Sequence, residues 1–181
     1  MSEHNTDDLA LRYVTDDGTW DLKLAKAGDV GYDLPTVINA KDSNHRPKVH
    51  PHRDYYVSYT GVDGKLPHVD IPAHGHAELY TGIRVKLPEN CWGNIRSRSS
   101  TGWKKHLNVY FGTIDTGYVG PLFILIHNPN AEPVRVYEGE RLAQLILIPK
   151  YTPSVIKVTS LPTTERGDTG FGSSNSTVTG I

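Results

Sequence analysis

TGIRVKLP, residues 81–88, sets Ile83, Val85 and Leu87 against Arg84 and Lys86. An apolar and polar alternation of period two belongs to a strand with one face in a core and the other in water. LFILIHN (122–128) and RLAQLILIP (141–149) are nearly continuous apolar runs. Short and proline-bounded, they read as strands buried on both faces. LALRYV (9–14) leads into TDDGT (15–19), a hairpin-type turn. Only SSTGWKKHL (99–107) offers a helical turn, and a short one. Seventeen glycines and twelve prolines punctuate these runs, so the pattern predicts an all-β sandwich or barrel rather than a helical bundle.

A chain of 181 residues is about one domain and can bury a core without disulfides. With 37% hydrophobic residues and no apolar run near the roughly 20 that a bilayer needs, nothing is expected to span a membrane. Nineteen basic against 20 acidic side chains give a formal charge of −1, which supplies no global field for nucleic acid or an anionic membrane. The opening MSEHNTDD is polar and acidic, unlike a secretory leader, and the expected compartment is the cytoplasm. A single cysteine, Cys91, fits a reducing compartment and suggests no redox work. Residues 40–70 are polar, histidine-rich and proline-punctuated, and read as a long insertion between strands. From Pro162 on, Phe171 stands alone among small and polar residues. The expected organisation is a β domain over residues 1–161 with a polar insertion at about 40–70, then a flexible C-terminal arm over 162–181.

Five stretches combine glycines, hydroxyls and charges beyond what a plain β scaffold needs: AGDVGYDL (27–34), RSRSS (96–100), GTIDTGYVG (112–120), GERLAQL (139–145) and RGDTGFGSS (166–174). Singly, each reads as a turn or a solvated surface. Asp115, flanked by an apolar neighbour and glycine-rich backbone, suits a carboxylate that orients a water and accepts its proton; an Asx turn is the alternative.

In this order and spacing the five stretches resemble the five motifs of the trimeric dUTP pyrophosphatases, the dUTPases, from about Ala27 to Ser174. Asp115 follows Arg98 by 17 residues, the interval expected between the second-motif arginine and the third-motif aspartate. The resemblance implies a jelly-roll-like β barrel, a homotrimer with shared active sites, and conversion of dUTP and water to dUMP and pyrophosphate. That reaction keeps uracil out of DNA and supplies dUMP for thymidylate synthesis. Asp115 would hold the attacking water at the α phosphorus. Arg98, the Ser99 hydroxyl, the Ser100 N–H and Gln144 would bind the triphosphate. Arg141 reads as a structural ion-pair partner. In the tail, Arg166 would meet the γ phosphate, Phe171 would stack on uracil, and Gly172 and Ser173 would add donors. Val109, Gly112, Thr113, Ile114 and Phe123 would read the base, whose donor at N3 and acceptors at O2 and O4 match extended backbone. Tyr118 would lie under the deoxyribose and exclude a 2′-hydroxyl. Mg2+ would be shared with the phosphates through a water on Asp33, for which a β-turn cap is the alternative.

Val119 stands where many members carry a basic or polar residue, and Thr169 replaces a glycine. The insertion lengthens the interval between the first two motifs. His45, His50, His52 and His68 lack a tight ligand pattern and receive no role. The nearest rival, a dCTP deaminase-like enzyme, needs a glutamate three residues before Asn128, where this chain has Leu125. A non-catalytic nucleotide-sensing or partner-binding protein is a rival of another class.

Overall fold

A computed structural model describes residues 9–16, 20–38, 58–59, 67–165 and 167. The chain divides into two units, residues 1–151 and 152–181. The first holds twelve strands and one helix among the described residues. They are β1 (Arg12–Thr15), β2 (Lys23–Leu24), β3 (Gly31–Pro35), β4 (Ser58–Tyr59), β5 (His68–Ile71), β6 (His76–Lys86) and β7 (Cys91–Ser97), then α1 (Ser99–Lys105), β8 (Asn108–Val109), β9 (Gly112–Ile114), β10 (Pro121–His127), β11 (Val134–Tyr137) and β12 (Arg141–Pro149). Three antiparallel sheets run β1-β6-β10-β8, β11-β5-β4 and β2-β3-β12-β7-β9. They close over one core to which every sheet contributes: Leu34, Val69, Ile71, Leu79, Ile83, Ile95, Ile124, Val136 and Leu145 among others. This is the expected all-β, jelly-roll-like architecture.

The alternation in TGIRVKLP holds: Ile83, Val85 and Leu87 are buried, and Arg84 and Lys86 are half-exposed. Two expectations are corrected. Strand β10 is not buried on both faces: Leu122, Ile124 and Ile126 enter the core, whereas Phe123, Leu125 and His127 are half-buried on the other side. That outer face is apolar because it packs its own cross-strand partners, Phe123 lying 5.4 Å from the Tyr80 ring. Strand β12 likewise leaves Ile146, Leu147 and Ile148 half-buried. TDDGT runs beyond the described residues at 17–19, and the strands on either side of it do not pair with each other: β1 pairs with β6 and β2 with β3, in different sheets. The long β6 offers β1 four registered partners, Arg12 to Thr15 against Lys86 to Ile83, which a two-residue β2 cannot match.

In the second unit, residues 152–165 form no helix or strand and are exposed. Val155 is 99% exposed, and Ile156 and Leu161 are nearly as open. No described helix is long and apolar enough to cross a membrane.

Candidate active site

The antiparallel sheet around β7 positions most of the predicted residues. Arg98 follows β7 and caps α1 with an extended backbone (φ −76°, ψ 149°). Its N–H donates to the Leu142 carbonyl, and the buried Thr101 hydroxyl donates to the same oxygen at 2.6 Å, which ties the start of α1 to β12. The guanidinium sets Nε 2.9 Å from Asp33 Oδ1 and donates through Nη1 to the Arg141 carbonyl at 3.0 Å. Ser99 and Ser100 open α1, whose N-terminus has no side-chain cap, so its first N–H groups lack helical partners. Gln144 pairs in register with both Asp33 and Arg96 and donates Nε2 to the Ser97 carbonyl at 3.2 Å. Its side chain crosses Gly31, where any Cβ would collide with it; this explains the glycine before Tyr32 in the first motif. Lys23, Ala25, Asp33, Arg98 and Arg141 line an open cleft of about 340 Å³.

Asp33 is 5% exposed. Burial pushes its carboxyl above the ordinary aspartate range, with Arg98 and Arg141 pulling it down and Asp29 pushing it up. A raised folded-state value means that the stability this group contributes is present below the unfolded value, near 4, and falls as pH rises through the folded one. Ionised Asp33 therefore costs stability at neutral pH. Asp33→Asn is expected to melt no lower than the wild type at pH 7, with any advantage gone by about pH 4. Calorimetry at the two pH values checks this; a clearly lower Tm at pH 7 would mean that the Arg98 ion pair outweighs desolvation.

A second cleft, of about 350 Å³, lies beside β9 and the turn after it; β9 pairs with β7 and β10 with β6 and β8, so the strands flanking Asp115 do not form a hairpin, and this is the β9 cleft. It is lined by Gly112, Thr113, Ile114, Asp115, Tyr118 and Phe123 from the predicted set. Strand β9 pairs Ile114 with Gly93 and Gly112 with Ile95, so the backbone of Gly112–Ile114 forms a sheet edge facing the cavity. The chain then turns, with Tyr118 N–H donating to the Asp115 carbonyl at 2.9 Å. Thr116, 8% exposed, anchors this turn: its hydroxyl donates to the Cys91 carbonyl at 2.7 Å and accepts from Lys150 Nζ at 2.8 Å. Asp115 is exposed at the cleft, and its carboxylate has no hydrogen-bond or ion-pair partner among the described residues. The Tyr118 hydroxyl donates to the Pro121 carbonyl at 2.9 Å, which lays the ring over Gly120, where a Cβ has no room.

The two clefts share no lining residue. Five residues of extended chain separate Gly93, opposite Ile114, from Arg98, a span of about 17 Å at 3.3 Å per residue. The fold thus sets Gly112–Ile114 along the middle of β7 with Asp115 just beyond, and Arg98, Asp33 and Gln144 toward its C-terminal end. It does not bring the two groups together within one chain. Val109 belongs to the core cluster and is not among the residues that line the β9 cleft. Arg166, Phe171, Gly172 and Ser173 lie outside the described residues. Sequence reasoning missed Lys23, Thr116, Tyr110 and Glu78, which enter these sites through strand pairing and turn contacts rather than through any motif.

Among the described residues no group of three or more His, Cys, Asp or Glu could hold a metal. The donor set fits Mg2+ only as an ion shared with phosphate oxygens and water, to which Asp33 would give one carboxylate.

The dUTPase family model matches residues 66–175. Among curated relatives, the deoxyuridine 5'-triphosphate nucleotidohydrolase of Paramecium bursaria Chlorella virus 1 is 38% identical over 105 residues, covering 58% of this chain and 74% of the relative. Among solved structures, the dUTPase of Staphylococcus bacteriophage 80alpha with dUpNHpp aligns at TM-score 0.67 and 24% identity, over 95% of this chain and 99% of the phage chain. The dUTPase of phage phi11 of S. aureus, described with a structural Mg(II) ion, aligns at TM-score 0.63 and 21% identity, over 83% and 97%. At these identities the structural likeness concerns the fold.

Proposed function

The chain belongs to the dUTPase family, and we propose that, in its hydrolysis of dUTP to dUMP and pyrophosphate, Asp115 holds and deprotonates the water that attacks the α phosphorus. The observation that carries this assignment is the β9 cleft: a carboxylate without a partner among the described residues stands beside a backbone edge and an aromatic ring, on a turn anchored by Thr116. Uracil would be read by the backbone of Gly112–Ile114, with Phe123 in the wall. Tyr118, its ring held by the Pro121 carbonyl, would face the deoxyribose. Positioning and charge supply most of the acceleration in such a reaction.

Arg98, the Ser99 hydroxyl, the Ser100 N–H and Gln144 would hold the triphosphate. Arg166, Phe171, Gly172 and Ser173 would close over it as part of a C-terminal arm. When bound, Mg2+ would neutralise phosphate charge, and Asp33 would reach it through a water. The pull of Arg98 and Arg141 favours the ionised carboxylate that this requires, while burial opposes it.

The two clefts share no lining residue, which supports a site completed by a second copy, as in a homotrimer with shared active sites. The open, apolar Val155, Ile156 and Leu161 also suit cover by another copy. A cytoplasmic location is proposed on the single unpaired Cys91.

One observation favours a second activity, deamination of dCTP. Glu78 pairs in register with Leu125 and lines the same cleft, so the cavity has a carboxylate even though position 125 does not. Incubation with dUTP, dCTP or dTTP and Mg2+ separates the readings. Pyrophosphate from dUTP, with neither product from dCTP, is expected. Ammonia from dCTP would establish the second activity, and binding without turnover would leave a nucleotide sensor.

A further inference from the structure

The outer face of the five-stranded sheet carries one polar row across four strands. Lys23 on β2 pairs with Asp33 on β3, Asp33 with Gln144 on β12, and Gln144 with Arg96 on β7. Residues paired in register point to the same side of a sheet at about 4.8 Å per strand. Asp33 and Gln144 occupy the centre of the row, and cations occupy both ends.

The cations near this row differ in what already holds them. Arg98 is engaged by Asp33 and the Arg141 carbonyl. Arg96 lies 4.1 Å over the Phe111 ring, and Arg141 lies 5.7 Å from the Trp20 ring. Lys23, which lines the same cleft as Asp33, Arg98 and Arg141, has no hydrogen-bond, ion-pair or ring partner among the described residues. Three cations face one carboxylate in that cleft. An unneutralised ammonium beside Asp33 is set to receive an anion, and a polyphosphate is the anion that needs several cations along its length.

We infer that Lys23, which lies outside every motif, is a further substrate-binding residue of this site, contacting oxygens of the β and γ phosphates beside Asp33. The inference rests on the dUTP reading of the cleft. It places the terminal phosphates toward the β2 edge of the sheet, where Lys23 would share their charge with a Mg2+ that Asp33 would reach through a water. Lys23 takes no part in bond breaking. Its role is to retain the two phosphates that leave as pyrophosphate.

Steady-state kinetics of Lys23→Met and Lys23→Arg at fixed ionic strength, with inhibition by pyrophosphate and by dUMP measured separately, provide the test. In Lys23→Met the KM for dUTP and the inhibition constant of pyrophosphate should each rise about tenfold, with kcat changing less than about threefold and dUMP inhibition unchanged. Lys23→Arg should restore KM to within about threefold. An unchanged KM, or equal weakening of pyrophosphate and dUMP, overturns the assignment, the latter because it reveals only a general field. A wild-type protein that does not turn over dUTP would instead sink the functional reading itself, before Lys23 is reached.

Discussion

Asp115→Asn is expected to abolish dUTP turnover, with kcat falling by about three orders of magnitude or more, while dUTP affinity stays within a fewfold of wild type. The asparagine is isosteric and keeps the turn, because that turn depends on main-chain and Thr116 contacts: Tyr118 N–H to the 115 carbonyl, and the Thr116 hydroxyl between Cys91 and Lys150. What is lost is a proton acceptor at the cleft. General-base removal costs about 10²–10⁴ in rate, and loss of water orientation adds to it. Affinity is spared because the carboxylate makes no contact in the base pocket wall that asparagine cannot make, and removing a negative charge near phosphate does not weaken binding. Single-turnover measurement beside equilibrium binding of dUTP decides the matter. A fully active variant would remove Asp115 from the mechanism, and equal loss of binding and rate would make it a substrate anchor.

Much of this architecture can be read in the residues, and where it cannot the reasons are physical. Ile83, Val85 and Leu87 announce a one-sided strand because only their side meets the core. LFILIHN misleads because Phe123 and Leu125 are apolar without facing that core; they belong to a second cavity that periodicity cannot distinguish from interior. TDDGT looks like a hairpin turn locally, but pairing is decided by which neighbour offers the longer ladder, and β6 outcompetes β2. The motif residues Arg98, Asp33 and Gln144 do converge, since β3, β7 and β12 are adjacent strands in register. Lys23 and Glu78 carry no local signal at all. Each enters a site only through its cross-strand partner, Asp33 in one case and Leu125 in the other. Spacing along the chain also says nothing about which part of β7 a residue will lie beside. The separation of Asp115 from Arg98 therefore emerges only with the sheet.

That separation makes a strong prediction about assembly. Asp115→Asn and Arg98→Gln, each inactive alone, should recover activity when mixed under conditions that allow copies to exchange. In one chain Asp115 follows Ile114, which pairs with Gly93, and Arg98 lies five strand positions from Gly93, a span of about 17 Å, so a water on Asp115 is not aimed at a phosphate held by Arg98. If each site instead combines the β9 cleft of one copy with the Arg98 cleft of another, random assortment of equal amounts leaves about a quarter of the sites with both native residues. Turnover should therefore approach about a quarter of the wild-type value per site, against a background near zero for either variant. Arg98→Gln removes the partner of the buried Asp33, so a melt of that variant must first establish that it folds. If it does not, Gln144→Ala, at the β12 position paired with Asp33 and bonded to the Ser97 carbonyl beside Arg98, takes its place in the mixture. Light scattering on the same sample should give a mass of three chains. Absence of recovered activity in verified mixed assemblies would mean that each chain completes its own site. Recovery near a quarter assigns the two clefts to different copies and makes assembly a condition of catalysis.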